Sequence, residues 1–292
     1  MMRNPLNEAA TAIYLELRRR QDWGEINVSL SEESIAFLKE SSARGKPDSI
    51  KPMELAHSPK NQSEADVAAS GRKEIPDPPS LKLTSGDANT RLKELQLLVA
   101  ADTWCQSQLS PGKRIVFGDG NPSAEILFCG EAPGAEEEIA GTPFVGAAGQ
   151  LLNKVIQAMG LGREDVYIAN IMSYRPPISG GVGNRAPTEA EMRYCLPYFL
   201  AQLEIVNPKV VVALGRTAVD GLLGFDRKRK MTQFRGKWQS FKNWKVMPTF
   251  HPSYLLRNES LSVKRQVWED MMEVMREAGI PISDKQKGFF LR

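Results

Sequence analysis

Apolar positions between Leu92 and Gly279 fall into two alternating kinds of run. Short runs rich in β-branched residues, at Glu125–Cys129, Val166–Met172, Val210–Leu214 and Lys245–Thr249, predict strands. Between them, stretches with apolar residues every three or four positions predict helices at Ala147–Met159, Thr188–Ile205 and Arg216–Leu223. A last helix, Ser262–Ala278, carries Val263, Val267, Met271, Val274, Met275 and Ala278 on one face, and Gly279 is placed to end it. Thr188 and Glu191 have the spacing of a capping box. This alternation predicts an α/β fold, a three-layer α/β/α arrangement on a four-stranded, mostly parallel central sheet. Ligands in such folds bind at the carboxyl ends of the strands, so the loops after Cys129, Met172, Leu214 and Thr249 should converge.

The pattern is different before residue 91. Residues 41–90 are rich in Ser, Pro, Lys, Asp and Ala, with few large apolar side chains to offset the entropy of ordering. They read as a disordered linker. Ahead of them, Ala9–Arg20 and Ser31–Glu40 read as two short helices of an N-terminal arm, residues 1–40, the second capped by Ser31. The arm is either a small docking module for a protein partner or a weakly ordered tail. The organisation expected is therefore arm, linker, a folded α/β domain over 91–279, and a C-terminal tail over 280–292.

Composition narrows the class only a little. The 292 residues are 25% charged and 41% hydrophobic, as in an ordinary globular protein, and the net charge of +3 permits nucleic-acid binding without requiring it. No apolar run approaches the roughly 18 residues of a membrane span, and the N-terminus lacks the basic-then-apolar order of a signal peptide. A cytoplasmic protein without a membrane association is expected, working as a monomer. Cys105, Cys129 and Cys195 are too scattered for a disulfide framework or a zinc motif, and Cys129 reads as a small buried hydrophobe.

Three loops at the expected ligand edge carry candidate chemistry. The first reads Gly130-Glu131-Ala132-Pro133-Gly134, then Glu136-Glu137-Glu138 and Gly141-Thr142-Pro143-Phe144-Val145-Gly146. Its glycines allow close backbone approach to a ligand, but no Gly-Lys-Ser/Thr follows, so it is not a phosphate-binding P-loop and an NTP-hydrolysing domain is disfavoured. The second runs from Asn170, able to donate and accept at the edge of a base, to Arg175-Pro176-Pro177 and Asn184-Arg185. The third is His251-Pro252-Ser253-Tyr254-Leu255-Leu256-Arg257; only one other histidine, His57, exists, in the linker.

Together with the turn Phe117-Gly118-Asp119-Gly120-Asn121-Pro122 and the run Pro143 to Leu152, these motifs resemble the uracil-DNA glycosylase superfamily, specifically its family 4. The resemblance covers roughly Leu92 to Gly279. It implies an enzyme that flips uracil out of single- or double-stranded DNA and hydrolyses its N-glycosidic bond to begin base-excision repair. In that scheme Glu131 and the backbone of Ala132 sit against the base and the attacking water. Glu137 lines the pocket near C5, Phe144 stacks on the ring, and Asn170 reads the Watson–Crick edge. His251 hydrogen-bonds O2 and stabilises the anionic leaving base. Arg175, Arg185, Ser253, Tyr254, Leu256 and Arg257 grip phosphates and wedge into the gap. The alternative is a glycosylase-like module that binds DNA or uracil without turnover and docks a repair or polymerase partner.

The resemblance also implies a four-iron–four-sulfur cluster on four cysteines, and here the chain departs from it. Cys105 and Cys195 match two ligand positions, while Gln108 and Tyr174 stand at the other two. Gln and Tyr are poor substitutes for thiolates, so no cofactor is expected. The stretch Ile178 to Gly183 reads as an insertion between the Arg-Pro-Pro and Asn-Arg elements.

Overall fold

The computed structural model describes residues 74–178 and 183–291. The two expected arm helices, most of the linker and most of the Ile178–Gly183 insertion lie outside the described residues.

Among the described residues the sheet has six strands rather than four: β1 (Asp119–Gly120), β2 (Ile126–Gly130), β3 (Tyr167–Asn170), β4 (Val210–Leu214), β5 (Gln239–Phe241) and β6 (Trp244–Thr249). Their order is β1-β3-β2-β4-β6-β5. The four expected strands are the parallel centre, in the order β3-β2-β4-β6. The two additional strands are short antiparallel edges, β1 on β3 and β5 on β6. Neither leaves an apolar alternation: β1 is two residues long, and β5 is half-buried around exposed Ser240. A tight turn at Lys242, with φ of 50°, joins β5 to β6.

The central strands are buried on both faces, and their alternating side chains feed two cores. Leu127, Cys129, Val211, Ala213 and Val246 point into one, which receives α1 (Ala88–Ala101), α2 (Thr103–Ser107), and parts of the later helices α5 and α6. Ile126, Phe128, Val210, Val212 and Met247 point into the other. A short helix α3 (Ala135–Ala140) leads into α4 (Ala147–Ala158), which packs Leu152 and Ile156 into this second core. Each such fully buried aliphatic side chain contributes about 1.5–3 kcal/mol, so the period-2 strands and the helical faces fix the three layers together.

The expected capping box forms at the start of α5 (Glu189–Val206): Thr188 accepts from the Glu191 N–H, and the Glu191 carboxylate accepts from the Thr188 N–H at 2.7 Å. Helix α6 (Gly215–Leu223) follows β4, and α7 (Met231–Phe234) precedes the edge hairpin. Helix α8 (Pro252–Arg257) starts at His251, and α9 (Leu261–Glu277) buries Val267, Met271, Val274 and Met275 as its pattern requires.

The ordered fold extends beyond both expected boundaries. Helix α1 begins at Ala88, and Ile75, Leu81 and Leu83, in the stretch read as linker, pack against the first core. Residues 280–291, read as a tail, add Ile280, Ile282 and Phe289 to the second core, and α10 (Asp284–Lys287) lies across it. There the Trp268 indole N–H donates to the Gln286 carbonyl at 2.6 Å. These flanking segments are too short and polar to reveal a period, but the domain faces they cover are apolar.

Candidate active site

The connections leaving β2 and β4 run to opposite faces of the sheet: β2 leads to α3 and α4 over the second core, β4 to α6 over the first. Their divergence opens a crevice at the carboxyl ends of the strands, the usual ligand position in such sheets. Gly130 ends β2, Asn170 ends β3, and Gly215 and His251 follow β4 and β6. Bonds from the Ile171 N–H to the Gly130 carbonyl and from the Met172 N–H to the Glu131 carbonyl, both 3.1 Å, carry the β2–β3 pairing past the sheet edge. They set half-buried Glu131 beside the strand that bears Asn170.

Asn170, Phe144 and Gly130 meet closely. A Cβ on Gly130 would come within 2.2 Å of Asn170 Oδ1 and 2.6 Å of the Phe144 ring. Only glycine fits there. Asn170 is 7% exposed, and its Oδ1 is buried with no hydrogen-bond partner among the described residues. Buried acceptors are nearly always satisfied, so an orphan at a strand end in a crevice marks a ligand position. The Phe144 ring lies 5.8 Å from the His251 ring, centroid to centroid. Phe144 is held in the left-handed region, with φ of 53°.

His251 caps α8. The Ser253 backbone N–H donates to His251 Nδ1 at 3.1 Å, and the Ser253 hydroxyl is 2.8 Å from the same nitrogen. An Nδ1 that accepts from an amide carries no proton, so the imidazole proton sits on Nε2, leaving that nitrogen a donor. Burial, and secondarily the positive charge of Arg257, lower its pKa to about 4. The ring is therefore a neutral Nε2–H donor at physiological pH. Gly215, which stands in none of the sequence motifs, makes this placement possible: a Cβ there would stand 2.9 Å from His251 Cβ, and its φ is +84°.

Glu137 is held by three backbone N–H groups around the loop that carries Phe144. Its Oε1 accepts from the Val145 and Gly146 N–H groups at 3.0 and 2.9 Å, and its Oε2 from the Gly134 N–H at 3.0 Å. The carboxylate thus ties the Phe144 loop to the start of α3. Ala132 is half-buried against the first core.

The arginines expected to hold phosphates divide into two groups. Arg175 donates to buried Glu138 at 2.7 Å and to Asn184 Oδ1 at 2.9 Å. Arg185 donates to both Glu191 oxygens, at 2.7 and 2.5 Å, and to the Pro177 carbonyl at 2.8 Å. Burial pushes the Glu191 carboxyl up, but Arg185 and Thr188 outweigh it and hold it below the usual range. Both guanidinium groups are engaged in bracing the loop between β3 and α5. Arg257, by contrast, is exposed, as is Leu256 beside it at 45%. Tyr254 is half-buried, its ring 4.8 Å from Phe250 and its hydroxyl accepting from Asn258 Nδ2. Of the wedge segment, Leu256 and Arg257 face outward, while Ser253 and Tyr254 build the turn beneath them.

The position implied for a metal cluster is filled by packed side chains. Cys105 and Cys195 are fully buried, and the Cys105 thiol is pushed up by its contact with the Cys195 thiol and by burial. Tyr174 is fully buried between them and Trp104; neither its hydroxyl nor the Trp104 indole N–H completes a hydrogen bond of good geometry. Gln108 donates to its neighbour Ser107 Oγ at 2.9 Å, near the surface. Asp102 accepts from the Tyr194 and Tyr198 hydroxyls at 2.8 and 2.7 Å, closing the same region. Cys129 is in β2. Among the described residues, no three His, Cys, Asp or Glu side chains gather so as to hold a metal ion. Two thiols, an amide that bonds elsewhere and a phenol do not make a four-thiolate site.

The sequence has relatives among known proteins. Residues 117–272 match the model of the uracil DNA glycosylase superfamily. The chain is 48% identical over 164 residues to a type-4 uracil-DNA glycosylase of Thermotoga maritima, spanning 54% of this chain and 79% of that protein. It is 42% identical over 152 residues to one from Archaeoglobus fulgidus, spanning 50% and 74%, and 39% identical over 175 residues to one from Saccharolobus solfataricus, spanning 57% and 76%. Asn170, Phe144 and His251 all lie within the matched stretch, and the chain belongs to the uracil-DNA glycosylase superfamily, in its type-4 group.

Proposed function

We propose that this glycosylase captures a flipped uracil between Phe144, Asn170 and His251 and hydrolyses its N-glycosidic bond, opening base-excision repair of DNA. One observation carries the assignment of roles: the buried, unpartnered Oδ1 of Asn170 beside the Phe144 ring. Uracil presents an N3–H donor flanked by two carbonyls, which a single amide side chain complements. Phe144 supplies the face on which the extruded base stacks.

Bond cleavage leaves a cation-like sugar and an anionic base. The neutral Nε2–H of His251 donates to the O2 of that base, where charge accumulates, without the cost of burying an imidazolium. Glu131 orients the attacking water on the sugar side. Glu137 keeps the platform loop in place. Leu256 enters the gap left by the flipped nucleotide, and Arg257 binds phosphate alongside it.

The protein works on this reading without an iron–sulfur cluster, because packed Tyr174, Trp104, Cys105 and Cys195 brace the region such a cluster would otherwise staple. We further propose that it works in the cytoplasm, as a monomer, and that residues 1–40 recruit a protein partner.

The decisive experiment is excision from a uracil-containing oligonucleotide, read by alkaline cleavage. Each of Asn170→Ala and His251→Ala should lose about a hundredfold or more in single-turnover rate while folding normally, since one preorganised donor contributes about 3 kcal/mol. Wild-type protein that binds such DNA without cleaving it would establish a non-catalytic module instead. Full activity in either variant would overturn the role assigned to that residue.

A further inference from the structure

The turn Phe117 to Pro122 and the short helix Arg163–Asp165 play no part in the proposed chemistry, yet Arg163 ties the turn to the platform loop. The Arg163 guanidinium donates to the Pro143 carbonyl at 2.6 Å and to the Phe144 carbonyl at 3.3 Å. It also donates to Asn153 Oδ1 on α4 at 3.3 Å and, through Nε, to Asp119 Oδ2 in β1 at 2.9 Å. We infer that Arg163, oriented by Asp119, is a positioning residue that fixes the backbone of Phe144 so that its ring is already set to receive a base.

Phe144 is strained. A non-glycine residue at φ of 53° sits in the left-handed region and needs surrounding contacts to stay there. On one side of the loop Glu137 holds the N–H groups of Val145 and Gly146. On the other, Arg163 holds the carbonyls of Pro143 and Phe144. Consecutive peptide groups are thereby gripped from both ends, by a carboxylate on α3 and a guanidinium beyond α4. The planar fork of arginine reaches four acceptors at once, a geometry a lysine ammonium cannot reproduce. The Arg163 side chain retains 24% exposure, so it is a partly solvated brace. Asp119 lies on the edge strand β1 and gives the brace a fixed anchor in the sheet.

The inference rests on the uracil-binding role of Phe144 and predicts a separable effect. Full-length wild type, Arg163→Met, Arg163→Lys and Asp119→Asn are compared in two measurements. The first is inhibition of excision by free uracil, which needs the set platform. The second is affinity for an oligonucleotide with an abasic site, which has no base to stack. Arg163→Met should weaken uracil inhibition about tenfold, because the platform loop must then be ordered on binding, with the lysine and Asp119→Asn variants in between. Abasic-site affinity should stay within about twofold, since no phosphate contact is removed. Uracil inhibition equal to wild type in Arg163→Met overturns the inference. So does an equal loss in both measurements, which would mark a general charge effect, or an inhibition loss that vanishes when the assay is cooled, which would mark unfolding. Wild type that does not excise uracil at all would overturn the proposed function itself, and the role of the brace with it.

Discussion

If His251 acts as a neutral donor, lowering the pH through the ordinary histidine range should leave its contribution untouched. Its pKa of about 4, against 6.5 for a free imidazole, comes mainly from burial and then from the nearby Arg257 charge. At pH 5.5 such a group is only about 3% protonated, whereas an unperturbed histidine would be about 90% protonated. The ratio of kcat/KM for wild type to that for His251→Ala isolates this residue from every other group that titrates. Between pH 8 and 5.5 that ratio should change by a few per cent, against about a tenfold change for a histidine titrating at 6.5. Single-turnover excision across buffers of matched ionic strength measures it. A ratio that falls steeply with a midpoint near 6.5 would refute the neutral donor, as would one that rises there, the mark of an imidazolium catalyst. The same shift has a consequence for stability. The folded state disfavours the protonated ring, so this contribution is complete above pH 6.5 and is lost as pH falls towards and through 4.

Other variants probe the remaining packing. Gly130→Ala should abolish most uracil excision, because its Cβ would displace both Asn170 Oδ1 and the Phe144 ring; activity near wild type would show that the two are not held by Gly130. Tyr174→Phe removes a buried hydroxyl without a well-formed hydrogen bond, so Tm should hold or rise, and a fall of several degrees would mean the phenol is satisfied in solution. Protein purified anaerobically should contain neither stoichiometric iron nor acid-labile sulfide; finding both would reinstate the cluster.

Much of this protein can be read from the chain alone where the signal is local and repeated. The four parallel strands and four major helices follow from periodicity, since burying one face of each element demands a fixed spacing of apolar side chains, and the Thr188 capping box follows from Thr and Glu three positions apart. The same spacing put Asn170, Phe144 and His251 at one edge. Short edges had no such signal: β1 has two residues, and β5 owes its place to pairing with β6 rather than to its own side chains. Neither did the flanks, where Ile75 and Phe289 matter only because an apolar surface awaits them.

What an individual charged residue does was decided only by tertiary contacts. Arg175 meets Glu138 across 37 positions, and Arg163 meets Asp119 across 44, separations at which sequence offers no pairing rule. Thus Arg175 and Arg185, suited by type to phosphate, brace a loop; Glu137, suited by type to a pocket wall, ties down a backbone. Asn170 shows the converse. Its place near a strand end follows from the sequence, but its unpartnered oxygen becomes evident only when folding brings Gly130 and Phe144 against it and removes water. Periodic burial determined the framework, because it sums over many like side chains; the site was decided by single polar atoms, whose partners exist only once the chain is folded.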